Sequence, residues 1–159
     1  MTAPSTTART TPTGIKLSDG YQSLIAFERD PDINLWEKSV TPPGYEGGDA
    51  IDDTTMHNTT YRTFASRELI TLTESTFTCM YDPDAYTSII NFLLNQEGSI
   101  TVHFPDGSTL DFYGYLKTFT PSELVEGETP EAEVTIVPTN REPGTSTEES
   151  AVLTSVAGT

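Results

Sequence analysis

The amino-acid sequence predicts a mainly β domain with one helix, on three observations. Residues 100–119, ITVHFPDGSTLDFYGYLKTF, read as two strands joined by a tight turn. Thr-rich stretches with partial alternation precede them, and a single segment, 82–97, combines helical spacing with a start signal. In the hairpin, Ile100, Val102 and Phe104 alternate with Thr101 and His103, the two-residue period of a strand with one buried face. Pro105, Asp106 and Gly107 supply the turn: Pro fixes φ, Asp bonds its own backbone, and Gly tolerates positive φ. The return strand sets Leu110, Phe112, Gly114 and Leu116 against Asp111, Tyr113, Tyr115 and Lys117.

The other elements follow in chain order. Residues 1–13 are Thr, Ser, Pro and Ala with one Arg, too polar to order themselves, and are expected to be a flexible arm. The domain proper is expected over residues 14–139. Alternation through Tyr21, Ser23, Ile25 and Phe27 suggests a first strand ending near Arg29, and residues 33–40, with the only Trp, a second. Residues 41–60, TPPGYEGGDAIDDTTMHNTT, hold two prolines, three glycines and four acids, which excludes a helix interior or a central strand. Structureless loops longer than about 12–15 residues are functional or disordered. Tyr45, Ile51 and Met56 are more than a solvated linker needs, so this segment is expected to reach another subunit, with a floppy insertion as the plain alternative. Residues 61–64 and 68–80 read as Thr-rich strands whose phase changes near Glu74, suggesting a bulge at 74–76.

The helix opens with Asp82 as cap and Pro83 in the first turn, and Tyr86, Ile89, Ile90, Leu93 and Leu94 should lie on the sheet. Gly98 is the expected left-handed residue that ends it. After the hairpin, residues 121–130 form an acidic loop and 131–137 a last strand through Val134 and Ile136. Residues 140–159 begin as linker and regain apolar content in AVLTSV, a tail expected to dock on a neighbour or to stay loose.

Composition narrows the function classes. Eight Lys and Arg stand against 24 Asp and Glu, a formal charge of -16, which disfavours phosphate-neutralising contact with nucleic acid. Solubility alone is the plain reading of that charge. The single cysteine, Cys79, excludes an intrachain disulfide and a multi-cysteine metal site. There is no stretch of about 20 apolar residues to cross a bilayer, and the first residues lack the apolar core of a signal peptide. The two histidines, His57 and His103, have no zinc-binding spacing, and no nucleophile elbow or phosphate loop occurs. His57 beside Asp49, Asp52 and Asp53 reads as a solvated charge cluster rather than a cation site. No enzyme activity and no cofactor are expected.

Several stretches in this order resemble one family. They are VTPPGYEGGDAIDDTT after an early Trp strand, a YDP helix start after a long Thr-rich strand, and ITVHFPDGSTLDFYGYLKTFTPSE closing on VTIVP. Together they resemble the tail tube (major tail) proteins of bacteriophages with long non-contractile tails, over roughly residues 14–139. The resemblance implies a β-sandwich with a flanking helix, whose inner sheet joins its neighbours into a hexameric β-barrel ring. Rings would stack into a tube in the virion, assembled in the host cytoplasm with terminator, distal tail and tape measure proteins. DNA would pass without specific binding, and no membrane is involved. Ring closure would remove exposed strand edges, and an acidic bore would repel DNA. The inter-subunit loop would comprise Thr41, Pro42, Pro43, Gly44, Tyr45, Gly47, Gly48, Ile51, Asp52, Asp53 and Met56; strand phase puts Glu68, Glu74 and Asp111 in the lumen. Two alternatives stay open: a related tail terminator, completion or secretion-tube protein, or a secreted carbohydrate-binding β-sandwich stacking sugars on Trp36, Tyr113 and Tyr115.

Overall fold

The predicted hairpin is the frame of the fold. In the computed structural model, which describes residues 23–31, 33, 35–105 and 107–155, strand β8 (Gly98–His103) pairs antiparallel with β9 (Thr109–Pro121), with Ile100 opposite Phe112. Phe104 N–H donates to the Ser108 carbonyl (2.9 Å) and Gly107 N–H to that of Phe104 (3.1 Å), closing the turn. Gly107 takes φ 92, and Pro105 is buried. Asp106, the arm at 1–13 and the start of the first predicted strand lie outside the described residues. Ile100, Val102, Leu110, Phe112 and Leu116 point inward, as their alternation predicts.

The remaining strands complete one sheet. They are β1 (Leu24–Phe27), β2 (Glu37–Thr41), β7 (Ser75–Met80), β10 (Glu131–Pro138) and β11 (Val152–Thr154). The strand order is β1-β8-β9-β10-β7-β2, all antiparallel, with β11 added to the start of β9. The expected two-sheet sandwich is corrected here. One seven-stranded sheet curls into a half-barrel, and its end strands β1 and β2 meet at a corner where Ile25 N–H donates to a Glu37 carboxylate oxygen (3.1 Å). Two bulges add local twist. In each the extra residue is a lysine: Lys38 between the pairs Glu37–Cys79 and Ser39–Thr78, and Lys117 between Leu116–Ile136 and Thr118–Thr135. Each pairs with a glutamate, Lys38 with Glu131 and Lys117 with Glu74 (2.8 Å). The bulge expected at 74–76 does not occur. Leu72 and Ser75 are both buried on opposite phases because the chain leaves the sheet between them.

One continuous core fills the half-barrel, from Ile25 and Phe27 through Phe77, Cys79 and Val102 to Val134 and Ile136. Helix α1 (Pro83–Ser88) and the π-helical turn that follows it, Ile89–Leu93, cover its open side. Asp82 caps α1 through Asp84 N–H (2.9 Å), as predicted. The π turn closes with Leu94 N–H on the Ile89 carbonyl (2.9 Å) and sends both Ile89 and Leu93 into the core. Ile90 is thereby turned outward, against expectation. The helix also ends earlier than residue 97. Asn95, at φ 56, takes the left-handed position assigned to Gly98, since Asn tolerates it among residues with a Cβ. Gly98 instead starts β8, where the Arg29 side chain crosses so close that a Cβ would lie 2.7 Å from its Cγ. The second predicted strand starts only at Glu37, and the C-terminal tail docks on its own chain as β11.

Candidate functional site

The segment 41–60 is one leg of an arm, and its partner is the stretch that follows it. From the β2–β7 pair the two legs run outward together: Gly44 with Thr73, Tyr45 with Leu72, Glu46 with Thr71, Ile51 with Ala65, and Asp52 with Phe64. Four short strands carry this ladder: β3 (Tyr45–Glu46), β4 (Ile51–Asp52), β5 (Phe64–Ala65) and β6 (Thr71–Leu72). An extended solitary loop is therefore replaced by a two-stranded hairpin that projects from the half-barrel.

Each unusual residue has a local task. Pro42 and Pro43 remove two backbone donors and end β2 at Thr41. The buried Ser75 hydroxyl donates to the Thr41 carbonyl (2.7 Å), and Gly44 N–H donates to the Thr73 hydroxyl (2.8 Å), which fixes the root of the arm. Gly47 has open space around it, whereas Gly48 sits at φ 78 with the Arg67 chain against it. Arg67 Nε donates across the legs to the Asp49 carbonyl (2.8 Å), so the Gly-Gly step is a designed irregularity in the ladder. Near the tip, Thr54 and Thr63 bond each other, and Asn58 accepts from Thr55 N–H (2.8 Å) while donating to the Tyr61 carbonyl (3.0 Å). Asp52 pairs with Arg62 (3.3 Å), and Asp53 N–H donates to the Thr63 carbonyl (3.1 Å). The Thr54 hydroxyl, and after it the Thr54 amide, holds the Asp52 carboxyl below its ordinary range.

The arm is ordered by hydrogen bonds, yet its apolar side chains are unburied. Tyr45, Ile51, Met56, Tyr61, Phe64, Leu69 and Ile70 are all exposed, Met56 fully (100%). Tyr61, Phe64, Leu69 and Ile70 lie on the return leg and were not among the residues singled out by sequence. The signal was the matching length and apolar content of 61–72 against 41–53, which only the pairing reveals.

The three acidic positions singled out by strand phase lie in different local settings. Glu68 is exposed on the return leg of the arm, Glu74 is taken up by Lys117, and Asp111 accepts from the Thr101 hydroxyl (2.5 Å) on the outer sheet face. Every described Lys or Arg has a partner: Lys38, Arg62, Lys117 and Arg141 in ion pairs, Arg67 on the Asp49 carbonyl, and Arg29 on the carbonyls of Phe92 (3.0 Å) and Glu97 (3.3 Å). Acids without an ion-pair partner among the described residues are spread over the chain: Glu46, Asp49, Asp53 and Glu68 lie on the arm, Glu123, Glu126 and Glu128 precede β10, and Glu142, Glu148 and Glu149 follow it.

Among the described residues no three His, Cys, Asp or Glu side chains are placed to hold a metal, His57 included. Cys79 is buried and its thiol is pushed up to about 11, first by burial and then by the nearby Glu37. A recess of about 310 Å³ lined by Lys38, Ser122, Glu123, Glu128, Thr129 and Glu131 is open and polar. Trp36 precedes β2, three strands from Tyr113 and Tyr115 on β9, so these rings do not form one platform.

No family profile and no curated protein matches the chain. Solved structures do. A chain in the virion of a native gene transfer agent (GTA) particle superposes with TM-score 0.58 at 9% identity, covering 87% of this chain and 99% of that one. A chain in the tail of an empty GTA particle, solved in C6 symmetry, gives the same values. A chain of the sixfold-symmetrised baseplate of the anti-feeding prophage (AFP) gives 0.57 at 7% identity, covering 84% and 91%. The fold is thus shared along nearly the whole length of each of these chains.

Proposed function

We propose that this protein is a structural, non-catalytic subunit of a phage-type tail, whose copies close into sixfold rings that stack into a hollow tube for the genome. The observation that carries this reading is the arm: an ordered hairpin with a row of large apolar side chains that no other described residue buries. Exposed apolar surface of this extent marks an interaction site. The shared fold with chains of a C6 tail and a sixfold baseplate agrees with it. So does the charge, because every described cation is already engaged and none is spare to grip a passing phosphate backbone. The non-contractile long-tailed type, virion location and contacts with other tail proteins belong to this reading.

A position at the end of such a tube, rather than along it, is the second reading, favoured by the likeness to a baseplate chain. Negative-stain micrographs of purified protein discriminate. Long tubes support the first, single rings the second, and a stable monomer at high concentration in light scattering overturns both. Replacing residues 46–71 with Asn-Gly joins Tyr45 to Leu72 by a two-residue hairpin turn. This variant is expected to keep the circular dichroism of the body and to lose assembly.

A further inference from the structure

The half-barrel ends in two strands, β1 and β2, that meet at a corner without pairing as strands. Just past β1, Glu28 N–H donates to the Ser99 carbonyl on the β8 side (3.1 Å). Donors alternate in direction along an antiparallel strand, so the Ile25 N–H points the other way, to an edge with no further strand among the described residues. An outward donor of this kind is a template for a strand of another chain. Here it is taken: a Glu37 carboxylate oxygen accepts it at 3.1 Å. A bulge brings Glu37 to that place. Val40 stands opposite Phe77 and packs against the core, and plain alternation back from it would turn Lys38 inward and Glu37 outward. The extra residue, Lys38, reverses the phase, so Glu37 stands opposite the buried Cys79 and shares its inward face. Glu131 pairs with Lys38 and fixes the bulge.

We propose that Glu37 is an edge guard: by occupying the Ile25 N–H it keeps β1 from taking up a strand of a second copy of this chain. The contact is one side chain on one amide, so it can be removed without unzipping a strand pair. A free β1 edge would offer its backbone to any copy that met it, and would compete with whatever contacts a regular assembly uses. The guard goes beyond the tail-subunit reading and does not require it, since it names an edge that copies do not share.

Three variants of the full chain test it. Glu37→Ala removes the acceptor and Glu37→Gln keeps one. Gly114→Ala strains the sheet elsewhere, at the Val137 carbonyl, with the guard intact. Each is checked for folding by circular dichroism, then followed by light scattering and by amide hydrogen exchange in NMR spectra over a dilution series. Glu37→Ala is expected to associate at a concentration about tenfold below that of the parent. Its Ile25 amide should exchange about tenfold faster than the parent's while dilute, and become protected again on association. Glu37→Gln and Gly114→Ala should behave as the parent does. The guard is overturned if Glu37→Ala associates no earlier than the parent, or if its Ile25 amide stays unprotected in the associated form. It is equally overturned if Glu37→Gln or Gly114→Ala associates as readily as Glu37→Ala. Should Glu37→Ala not fold, the dilute parent decides: slow exchange at Ile25 supports the guard, and exchange as fast as in an unfolded chain overturns it. A parent that never assembles sinks the tail-subunit reading alone, because the variant is then compared with a monomer.

Discussion

The half-barrel and the arm solve opposite problems with the same strand chemistry. In the half-barrel, alternating apolar residues turn inward and seal a core in which Phe77, Cys79, Val102, Val134 and Ile136 are essentially without solvent. In the arm, residues of the same types alternate across a ribbon with no layer on either side among the described residues. The body draws its stability from burial, and the arm draws its shape from side-chain hydrogen bonds at its root, its Gly-Gly step and its tip. Apolar side chains held in place without being buried are the mark of the arm, and that contrast separates it from the part that carries the core.

The largest effect expected from this contrast comes from paired truncations. Phe77→Ala removes a ring that is 2% exposed and should cost about 3–5 kcal/mol, enough to unfold a domain of ordinary stability. Met56→Ala, at the tip of the arm, should stay within about 0.5 kcal/mol. Chemical denaturation of the two variants checks this. A comparable loss in Met56→Ala would mean that the arm belongs to the folding unit.

A smaller effect is expected at Gly114. It lies on β9 between Gly98 and Pro138, and a Cβ there would meet the Val137 carbonyl oxygen at 2.7 Å. That neighbour is backbone and cannot swing away, so Gly114→Ala should cost about 1–3 kcal/mol by prising β10 from β9. A thermal melt reads it. Gly47→Ala in the arm, where a Cβ meets nothing within 4 Å, is the matched control and should leave the melt unchanged.

The same division explains how much was legible from sequence. The hairpin at 98–121, the strand through Val134 and Ile136, and the Asp82–Pro83 helix start are local patterns: a period of two, a turn with Pro and Gly, a capping side chain. They survive in any tertiary context that offers one apolar side. The arm is not local. Its ladder joins residues up to 29 apart at Gly44 and Thr73, through legs rich in Thr, Gly and Asp with weak strand preference, so only the closed structure shows that the two legs belong together. The bulges at Lys38 and Lys117 were equally hidden, because a lysine at a surface strand position looks the same whether or not it is paired. The curl of the sheet brings β1 and β2 together at the seam where Ile25 N–H meets Glu37, a contact between separate segments that no local pattern announces. Gly98 misled because a glycine after a helix suits both a cap and a close crossing, and here Asn95 took the first role.

The smallest expected effect, and the sharpest test of the contrast, is in two carboxyl groups that shift in opposite directions. In the body, burial raises Glu37 above its ordinary 4.5, only partly offset by the Ile25 N–H that it accepts. The folded state then holds that proton more tightly than the unfolded chain, so its contribution is fully present below about pH 4.5 and is lost as pH rises through the folded value. In the arm, Asp52 is held below 3.8, so its contribution is present above that value and is lost as pH falls through the lower folded value. Acid should therefore loosen the arm at the Asp52–Thr54 contact while the seam of the half-barrel tightens. A carboxyl titration followed by NMR, with Asp52 midpoint below 3.8 and Glu37 above 4.5, checks the directions. Glu37→Gln keeps an oxygen to accept from Ile25 N–H and removes the buried charge. It should be no less stable than the parent at pH 7 and should lose its advantage as pH falls through the raised folded value towards 4.5. A variant clearly less stable at neutral pH would mean that the ionised carboxylate, rather than its burial, is what closes the seam.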